Sequence, residues 1–328
     1  MICGDIVSNK TIAIIGGAGF LGRHIVGRIQ SFAKKIVIIS RDEVKHFSMQ
    51  KEFRDAKNIR YLLGNVEDEN RMKMALAGVD ICIMAAANKR IDSCAYNIET
   101  TIKTNVFGTL NVMHASIYNN IEKNIYISTD KVVNCQTSYG AQKMLGERIF
   151  IDGGNNYGNR GTLFSAVRYG NVLGSTKSLK TYIREDAERN GFVGLTKKDA
   201  TRFWMTANQA VDAVLFCITY MKGGEIYVPK NIKAASLETF AKAFSPDFPI
   251  KEIGFKTYEK YHEELITDFE QGHTADFGTH YAILPFHAKN DFLGWNVDFP
   301  SYPIIEKFKF TSDSVEQLST EELIQLAE

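Results

Sequence analysis

Apolar positions along the first half of the chain follow two alternating spacings. Short runs in which nearly every residue is apolar predict β-strands covered on both faces. Between these runs the apolar positions recur at helical spacing. The predicted strands are residues 11–16, 35–40, 59–64, 79–87, 123–129 and 162–170, and the predicted helices are 20–32, 68–77, 98–119 and 138–150. Repeated strand–helix units predict an α/β fold, a Rossmann-type doubly wound parallel sheet with right-handed crossovers.

The pattern loosens after about residue 173. There we predict helices at 178–190, 207–221, 236–244 and 314–327 and strands at 224–229 and 249–255. We therefore expect a smaller, partly interleaved lobe beside the Rossmann domain. The expected boundaries are 1–173 and about 203–229 for the Rossmann domain, and about 174–202 and 230–328 for the substrate-binding lobe.

Composition and charge narrow the class of protein. The 328 residues are 45% hydrophobic and 23% charged, which is typical of a globular protein. The net charge of +1, without a run of basic residues, argues against a nucleic-acid partner. Five scattered cysteines without a CxxC pair predict neither a metal site nor a disulfide framework. No apolar run has membrane-span length and no signal-peptide pattern is present, so we expect a cytoplasmic protein without a membrane partner.

A glycine-rich turn lies between the first predicted strand and the first predicted helix. In "IAIIGGAGFLGRHIV", Gly17, Gly19 and Gly22 satisfy GxGxxG, and Gly16 with the latter two satisfies GxxGxxG. Such glycines allow a tight turn and a close approach to a pyrophosphate, which then faces the helix N-terminus. The expected cofactor-binding residues here are Gly16, Gly19, Phe20, Leu21 and Gly22. A glycine-rich turn without a ligand is the alternative interpretation.

The second strand ends in "ISRDE", which bears on the choice of cofactor. An acidic residue here would bind the ribose 2′-hydroxyl of NAD, whereas an arginine would favour the 2′-phosphate of NADP. Ser40 is followed by both, as Arg41 and Asp42. Because Arg41 comes first after the strand, NADP is favoured, with NAD as the alternative.

"STDKVVNCQTSYGAQK", residues 128–143, concentrates ionisable groups between a strand and a helix. Tyr139 and Lys143 are four residues apart on the predicted helix and share one face. A cation about 4 Å away at an effective dielectric near 20 contributes about 4 kcal/mol, or about three pKa units. We therefore expect Lys143 to lower the pKa of Tyr139 towards neutrality, which makes the phenol a base.

Several motifs together carry a family resemblance. "GGAGFLG", "KTNVFGTLNV", "STDKVVN", "YGAQK", "RYGNVLGS", "TRFWMT", "GGEIYVPK" and "EKYHEELI" run nearly from end to end of the chain. The chain resembles the extended short-chain dehydrogenase/reductases, and within them the polysaccharide-biosynthesis branch that contains UDP-N-acetylglucosamine 4,6-dehydratases. The resemblance implies an NADP-dependent lyase acting on UDP-N-acetylglucosamine or a related UDP-sugar. It also implies a homo-oligomer that associates through helices 98–119 and 138–150.

The resemblance assigns roles to the ionisable stretch. Tyr139 would take the proton of the sugar 4-hydroxyl, and Thr129 would hydrogen-bond the 4-oxygen. Lys131 would be the base at C5, and Asp130 the acid for the leaving 6-hydroxyl. A close Asp–Lys ion pair would shift both pKa values the wrong way, so we expect the two side chains to diverge. Tyr139 and the lack of a membrane region resemble the C5-inverting type, which would add 5-epimerase activity.

Further site residues follow from the resemblance. The expected cofactor contacts are Asn65, Val66, Ala85, Ala86, Lys89 and Asn105, together with Tyr139 and Lys143. The expected substrate contacts are Lys89, Thr129, Asn171, Arg202, Lys256 and Glu263. For Asn105 a buried polar group bonded to the backbone is the alternative. Two other functions stay open: a UDP-sugar 4-epimerase or reductase, and a non-catalytic NAD(P)-binding regulatory protein.

Overall fold

A nine-stranded sheet forms the centre of the molecule in the computed structural model, which describes residues 6–156, 161–175, 179–254, 258–285, 303–305 and 308–327. The strands are β1 Thr11–Ile15, β2 Lys35–Ser40, β3 Ile59–Leu63, β4 Ile81–Met84, β5 Lys123–Ile127, β6 Leu163–Val167, β7 Asn171–Val172, β8 Val193–Leu195, β9 Thr201–Met205, β10 Ile226–Pro229, β11 Lys233–Ser236, β12 Ile250–Glu252, β13 Thr274–Asp276 and β14 His280–Ile283. The large sheet has the order β13-β14-β10-β6-β5-β4-β1-β2-β3.

Helices cover both faces of this sheet and part of the lobe. They are α1 Phe20–Ile29, α2 Glu43–Glu52, α3 Glu69–Ala75, α4 Ile91–Tyr96, α5 Ile98–Ile102, α6 Gly108–Tyr118, α7 Ser138–Asn156, α8 Leu179–Asn190, α9 Ala207–Tyr220, α10 Leu237–Phe244, α11 Asp268–Gln271 and α12 Thr320–Ala327. A π-helical turn, Lys103–Phe107, joins α5 to α6. Within the described ranges, no helix is both long enough and apolar enough to cross a membrane.

The strand order confirms the predicted Rossmann-type fold. Strands β3, β2, β1, β4, β5, β6 and β10 are parallel, and the first six have the order of a dinucleotide-binding sheet. Every residue of β1 and of β4 is buried. That burial on both faces explains why the sequence of these strands is an almost unbroken apolar run.

The lobe has its own small sheets and its own apolar cluster. β9 pairs with β7 and β11, and β12 pairs with β8. The cluster includes Trp204 and Phe240, whose rings stack with centroids 4.2 Å apart. Two strands from the segment that we expected in the lobe extend the large sheet: β14 pairs antiparallel with β10, and β13 pairs antiparallel with β14. The exact domain boundaries stay a prediction.

Several helical features differ from the sequence prediction, and the short helices α4 and α11 were not predicted. Helix α2 was not predicted, because its apolar residues do not form a continuous face; Val44 and Phe47 are exposed. Its start has a recognisable cap, since the Asp42 side chain accepts a hydrogen bond from the Lys45 amide at 3.0 Å. The helix predicted over 98–119 is divided by the π-helical turn, which contains Asn105.

A buried ion network ties helix α7 to helix α11. Arg168, just after β6, donates to Glu147 of α7 at 2.7 Å and to Glu270 of α11 at 2.9 Å. Its guanidinium also donates to the Leu265 carbonyl at 3.0 Å. Ser128, at the end of β5, donates to the same Glu147 carboxylate. The network thus fixes the elements that carry the residues 128–143 against the second part of the chain.

Candidate active site

One cleft of about 1390 Å³ runs along the carboxyl ends of the parallel strands and continues against the lobe. This is where ligands bind in open α/β sheets. Most of the predicted site residues line it: Gly16, Gly19, Phe20, Leu21, Gly22, Ser40, Arg41, Asp42, Asn65, Val66, Ala85, Ala86, Lys89, Thr129, Lys131, Tyr139, Lys143, Asn171, Arg202 and Glu263. Residues from both the sheet and the lobe therefore meet in one site.

The glycine turn forms a cradle that side chains would fill. Gly16 has a φ of +79°, and a Cβ added to it would lie 2.8 Å from the backbone of Ala86. A Cβ on Gly22, in the first turn of α1, would collide with the backbone of Gly17. The amides of this first helical turn have no carbonyl partner within the helix and attract an anion. The turn therefore fits the pyrophosphate of a dinucleotide.

Basic side chains surround the end of β2. The Asp42 carboxylate caps α2 and lies 2.9 Å from the Lys45 ammonium, and these hydrogen bonds lower the pKa of Asp42. The Arg41 guanidinium is exposed and donates to Asn88 Oδ1 at 3.3 Å. Arg23 and Lys45 line the same end of the cleft. The Asp42 carboxylate is thus already bound by groups of the protein, whereas the cationic side chains Arg23, Arg41 and Lys45 line the cleft.

Tyr139 and Lys143 project from the first turns of α7, but their charges do not interact as predicted. Burial, reinforced by the Asp130 carboxylate, raises the pKa of the Tyr139 phenol. Lys143 Nζ donates to the Ile127 carbonyl at 2.6 Å and lies 3.9 Å from the centre of the Tyr126 ring. Burial lowers the pKa of Lys143 to about 7. Our expectation that Lys143 lowers the pKa of Tyr139 is therefore wrong in this arrangement, because the ammonium is bound elsewhere and is itself partly discharged.

Asp130 and Lys131 form a close ion pair rather than diverging, so that expectation is also wrong. Lys131 Nζ lies 3.0 Å from the Asp130 carboxylate and donates to Asn171 Oδ1 at 3.3 Å. Asp130 is completely buried and lies behind the cleft wall, and the Thr129 hydroxyl donates to it at 2.9 Å. Burial raises the pKa of Asp130 although Lys131 opposes the shift. Burial would lower the pKa of Lys131, but the carboxylates of Asp130 and Glu263 outweigh it and raise the pKa.

Arg202 and Glu263 meet Lys131 from the lobe. Glu263 Oε1 lies 3.2 Å from Lys131 Nζ and 3.7 Å from Arg202 Nε. The Arg202 guanidinium also donates to Glu259 at 2.8 Å and to the Thr201 carbonyl at 2.7 Å. Of the predicted substrate residues from the lobe, Glu263 therefore contacts Lys131 directly, and Arg202 contacts Glu263.

Three other predicted residues differ in their position relative to the cleft. Asn105 does not line the cleft; its Oδ1 accepts from the Asn88 amide at 2.7 Å, and its Nδ2 donates to the Asn88 carbonyl at 3.0 Å and to Gln142 at 2.8 Å. It is the buried polar group of the alternative interpretation, and it holds the loop after β4 in place. Lys89 lines the cleft in that loop, and burial lowers its pKa. Lys256 lies outside the described residues.

Some residues of the site were missed by the sequence analysis. Lys45 belongs to a helix that was not predicted, although Asp42 three residues earlier is a typical N-cap and was a usable signal. Arg23 directly follows the glycine motif. Lys260 carried no sequence signal, because its contact with Glu263 at 3.5 Å depends on the loop conformation. Within the part of the chain described, no group of three or more His, Cys, Asp or Glu residues could hold a metal ion.

The chain matches one protein family and is similar to several known enzymes. A family model described as "Polysaccharide biosynthesis protein" matches residues 12–285. A UDP-N-acetylglucosamine 4,6-dehydratase (inverting) of Campylobacter jejuni subsp. jejuni serotype O:23/36 (strain 81-176) is 35% identical over 321 residues, 96% of this chain and 96% of that protein. A UDP-glucose 4-epimerase of Rickettsia bellii (strain RML369-C) is 31% identical over 333 residues, 97% of this chain and 95% of that protein.

Solved structures share the fold. Pen from Bacillus thuringiensis has a TM-score of 0.87 at 30% identity, over 98% of each chain. DesIV, a dTDP-glucose 4,6-dehydratase from Streptomyces venezuelae with NAD and TYD bound, has a TM-score of 0.66 at 16% identity, over 76% of this chain and 86% of that one. At that identity the second similarity supports the fold alone.

Proposed function

The chain belongs to the polysaccharide biosynthesis protein family, and on this premise we propose that it is a lyase, a UDP-N-acetylglucosamine 4,6-dehydratase that inverts C5. Its product would be a UDP-4-keto-6-deoxy-L-arabino-hexosamine. The observation that carries the proposal is the Asp130–Lys131 ion pair beside Tyr139. Oxidation at C4 needs only a base and a hydride acceptor, whereas elimination across C5 and C6 also needs a second base and an acid.

The glycine cradle and the cations beside it fit a nicotinamide dinucleotide, which when bound supplies the hydride acceptor for C4 and the hydride donor for C6. We propose NADP rather than NAD. Asp42 is held by its own helix and by Lys45, so it is poorly placed to accept from a ribose hydroxyl. Arg41 remains at the surface of the cleft, where a guanidinium can bind a phosphate through two parallel hydrogen bonds.

Tyr139 is proposed to receive the 4-hydroxyl proton. Its raised pKa disfavours the phenolate, so the tyrosine needs added positive charge before it can act. Lys143 is four residues away on the same helix, but its amine donates to the Ile127 carbonyl, so the positive charge of an oxidised nicotinamide is proposed to meet this need. Thr129 lies next to Tyr139, and its hydroxyl donates to Asp130 at 2.9 Å, which suits a group that holds the 4-oxygen.

Elimination is proposed to use the Asp130–Lys131 pair as one unit. Transfer of one proton from the Lys131 ammonium to Asp130 across their 3.0 Å contact gives a neutral amine and a carboxylic acid without a change in net charge. The amine then takes the C5 proton. Asp130 releases its proton towards the 6-oxygen through Thr129, which lies between it and the cleft, and water leaves. The raised pKa of the buried Asp130 favours the acid form that this step requires.

The nucleotide half of the substrate is proposed to lie against the lobe. Asn171 and Arg202 line the cleft there, and Lys89 lines it from the loop after β4; the two cations suit a pyrophosphate. Glu263 lies beside them, and Lys256 is proposed as a contact from the family resemblance alone. We propose that the molecule acts as a homo-oligomer through α5–α6 and α7.

A UDP-sugar 4-epimerase is the second candidate, because a relative of that name covers nearly the whole chain. An epimerase would use Tyr139 and Lys143 but would leave the Asp130–Lys131 pair without a role. The two reactions differ in the mass of the product and in exchange at C5.

Incubation with UDP-N-acetylglucosamine and NADP in deuterated water, followed by mass spectrometry and NMR, tests the proposal. We expect loss of one water and deuterium at C5. A product of unchanged mass would support epimerisation, and no turnover of any UDP-sugar would support a binding protein. Lys131→Ala should abolish dehydration while NADP still binds. The matched control is Lys10→Ala, since Lys10 pairs with Glu122 and does not line the cleft.

A further inference from the structure

Glu263 occupies a fixed, buried position between the lobe and the sheet. Its backbone amide donates to Ser312 Oγ at 2.9 Å, and its carbonyl accepts from the Ser312 amide at 2.8 Å. The residue is 4% exposed. Because both backbone groups are held, the carboxylate is directed at the cleft rather than free to move into solvent.

Three cationic side chains lie close to the Glu263 carboxylate. Oε1 faces Lys131 at 3.2 Å and Arg202 at 3.7 Å, and Oε2 faces Lys260 at 3.5 Å. Oε2 has no hydrogen-bond partner among the described residues. Burial alone would raise the pKa of Glu263, but the three cations lower it to about 2. The carboxylate therefore carries its negative charge throughout the pH range in which enzymes work.

This charge acts on both members of the Asp130–Lys131 pair in the same direction. A neighbouring anion favours the protonated form of an amine and of a carboxyl group alike. Glu263 is accordingly among the groups that raise the pKa of Asp130 and of Lys131. The other groups that face the pair or Glu263 come from four elements: Asn171 of β7, Tyr139 of α7, Arg202 of β9, and Lys260 in the loop that follows β12.

We propose that Glu263 is a positioning residue that acts through Lys131. Its negative charge favours retention of the proton that Asp130 and Lys131 share, and it thereby sets the pH range in which elimination proceeds. The inference rests on the proposed dehydration. It goes beyond contact with the substrate, because Glu263 would control the chemistry through a charge that the sugar need not touch.

The test compares the pH dependence of kcat/KM for dehydration in wild type and variants, because this parameter reports the free enzyme's ionisations. Glu263→Gln keeps the shape of the side chain and removes its charge. Both limbs of the profile should move to lower pH by about one unit or more, since the pair loses a neighbouring anion. Lys260→Gln removes a neighbouring cation, so both limbs should move in the opposite direction, to higher pH. Glu264→Gln is the matched control, because Glu264 binds Asn134 and does not line the cleft.

The outcomes separate the two proposals. Wild-type protein that turns over no UDP-sugar overturns the proposed function, and this inference with it. Dehydration by wild type with limbs that stay in place in Glu263→Gln, whatever the loss in rate, overturns the role of Glu263 alone. If Glu263→Gln does not fold, Lys260→Gln decides the matter. In that case an unmoved or downward-shifted profile would refute the inference.

Discussion

We expect Lys143 to lower the stability of the folded protein although turnover requires it. Its side chain is 4% exposed at the end of β5, and burial lowers its pKa from 10.5 to about 7. An ammonium in this position opposes folding, because burial disfavours the charged form. We expect Lys143→Met to raise the free energy of unfolding near neutral pH and to abolish turnover.

The magnitude follows from the pKa shift. A Lys143 pKa of 10.5 in the unfolded chain and about 7 in the folded protein makes the buried amine cost about 4 kcal/mol near pH 7 and about 2 kcal/mol near pH 9. The sign is fixed by linkage: between the two pKa values the unfolded chain binds more protons, so wild-type stability rises with pH. Methionine has no ionisable group. Its advantage over lysine should therefore shrink by about 2 kcal/mol from pH 7 to pH 9.

The change in the stability advantage of Lys143→Met between pH 7 and pH 9 is the quantity that tests the lowered pKa of Lys143. Methionine also loses the hydrogen bond to the Ile127 carbonyl and the contact with the Tyr126 ring, which reduces its absolute advantage. Urea unfolding of both proteins at the two pH values gives the difference in free energy. Gln142→Met is the matched control: it removes buried hydrogen bonds to Asn105 and Thr101 but no ionisable group. Its effect should be the same at both pH values.

A Lys143→Met advantage that is equal at pH 7 and pH 9 would refute the reasoning. It would mean that the amine in solution reaches water or a counter-ion and does not lie neutral beneath the strand.

Two further predictions concern the cofactor and the assembly. Arg41→Ala should weaken NADP binding by about tenfold or more while NAD binding changes little, since a charge-assisted hydrogen bond contributes about 1.5–3 kcal/mol. Titration calorimetry measures both, and equal losses for the two cofactors would rule out a contact with the 2′-phosphate. Leu145 of α7 is 49% exposed on the face that we expect between subunits. Light scattering should show at least a dimer for wild type and dissociation for Leu145→Glu, and a monomeric wild type would contradict the assembly.

The sequence predicted the parallel strands of the large sheet well because most of them are buried on both faces, whereas β13 and β14 at its antiparallel edge were not predicted. Nearly unbroken apolar runs such as β1 leave little ambiguity. Helix α2 was missed because tertiary contacts and a cap, rather than a continuous apolar face, determine it. Short lobe strands such as β8 have three residues and were also missed, since so short a run has no recognisable period.

For the site, the sequence predicted which residues line the cleft better than it predicted their charges. Residue type and spacing identified Tyr139, Lys143, Asp130 and Lys131. The pKa directions depend on burial and on partners that are distant in sequence. Glu263 lies 132 positions beyond Lys131, and no local pattern could reveal that their side chains meet at 3.2 Å.

The buried Arg168 network constrains how this protein could be cut or recombined. A fragment ending near residue 173 would keep Arg168 and Glu147 but lose Glu270, which supplies two of the guanidinium's hydrogen bonds. An arginine left inside with part of its charge uncompensated is strongly destabilising. The amino-terminal half is therefore not an exchangeable module, and a chimera with a relative's lobe requires a carboxylate at the position of Glu270. The two parts are coupled through a single side chain that lies outside the lining of the cleft.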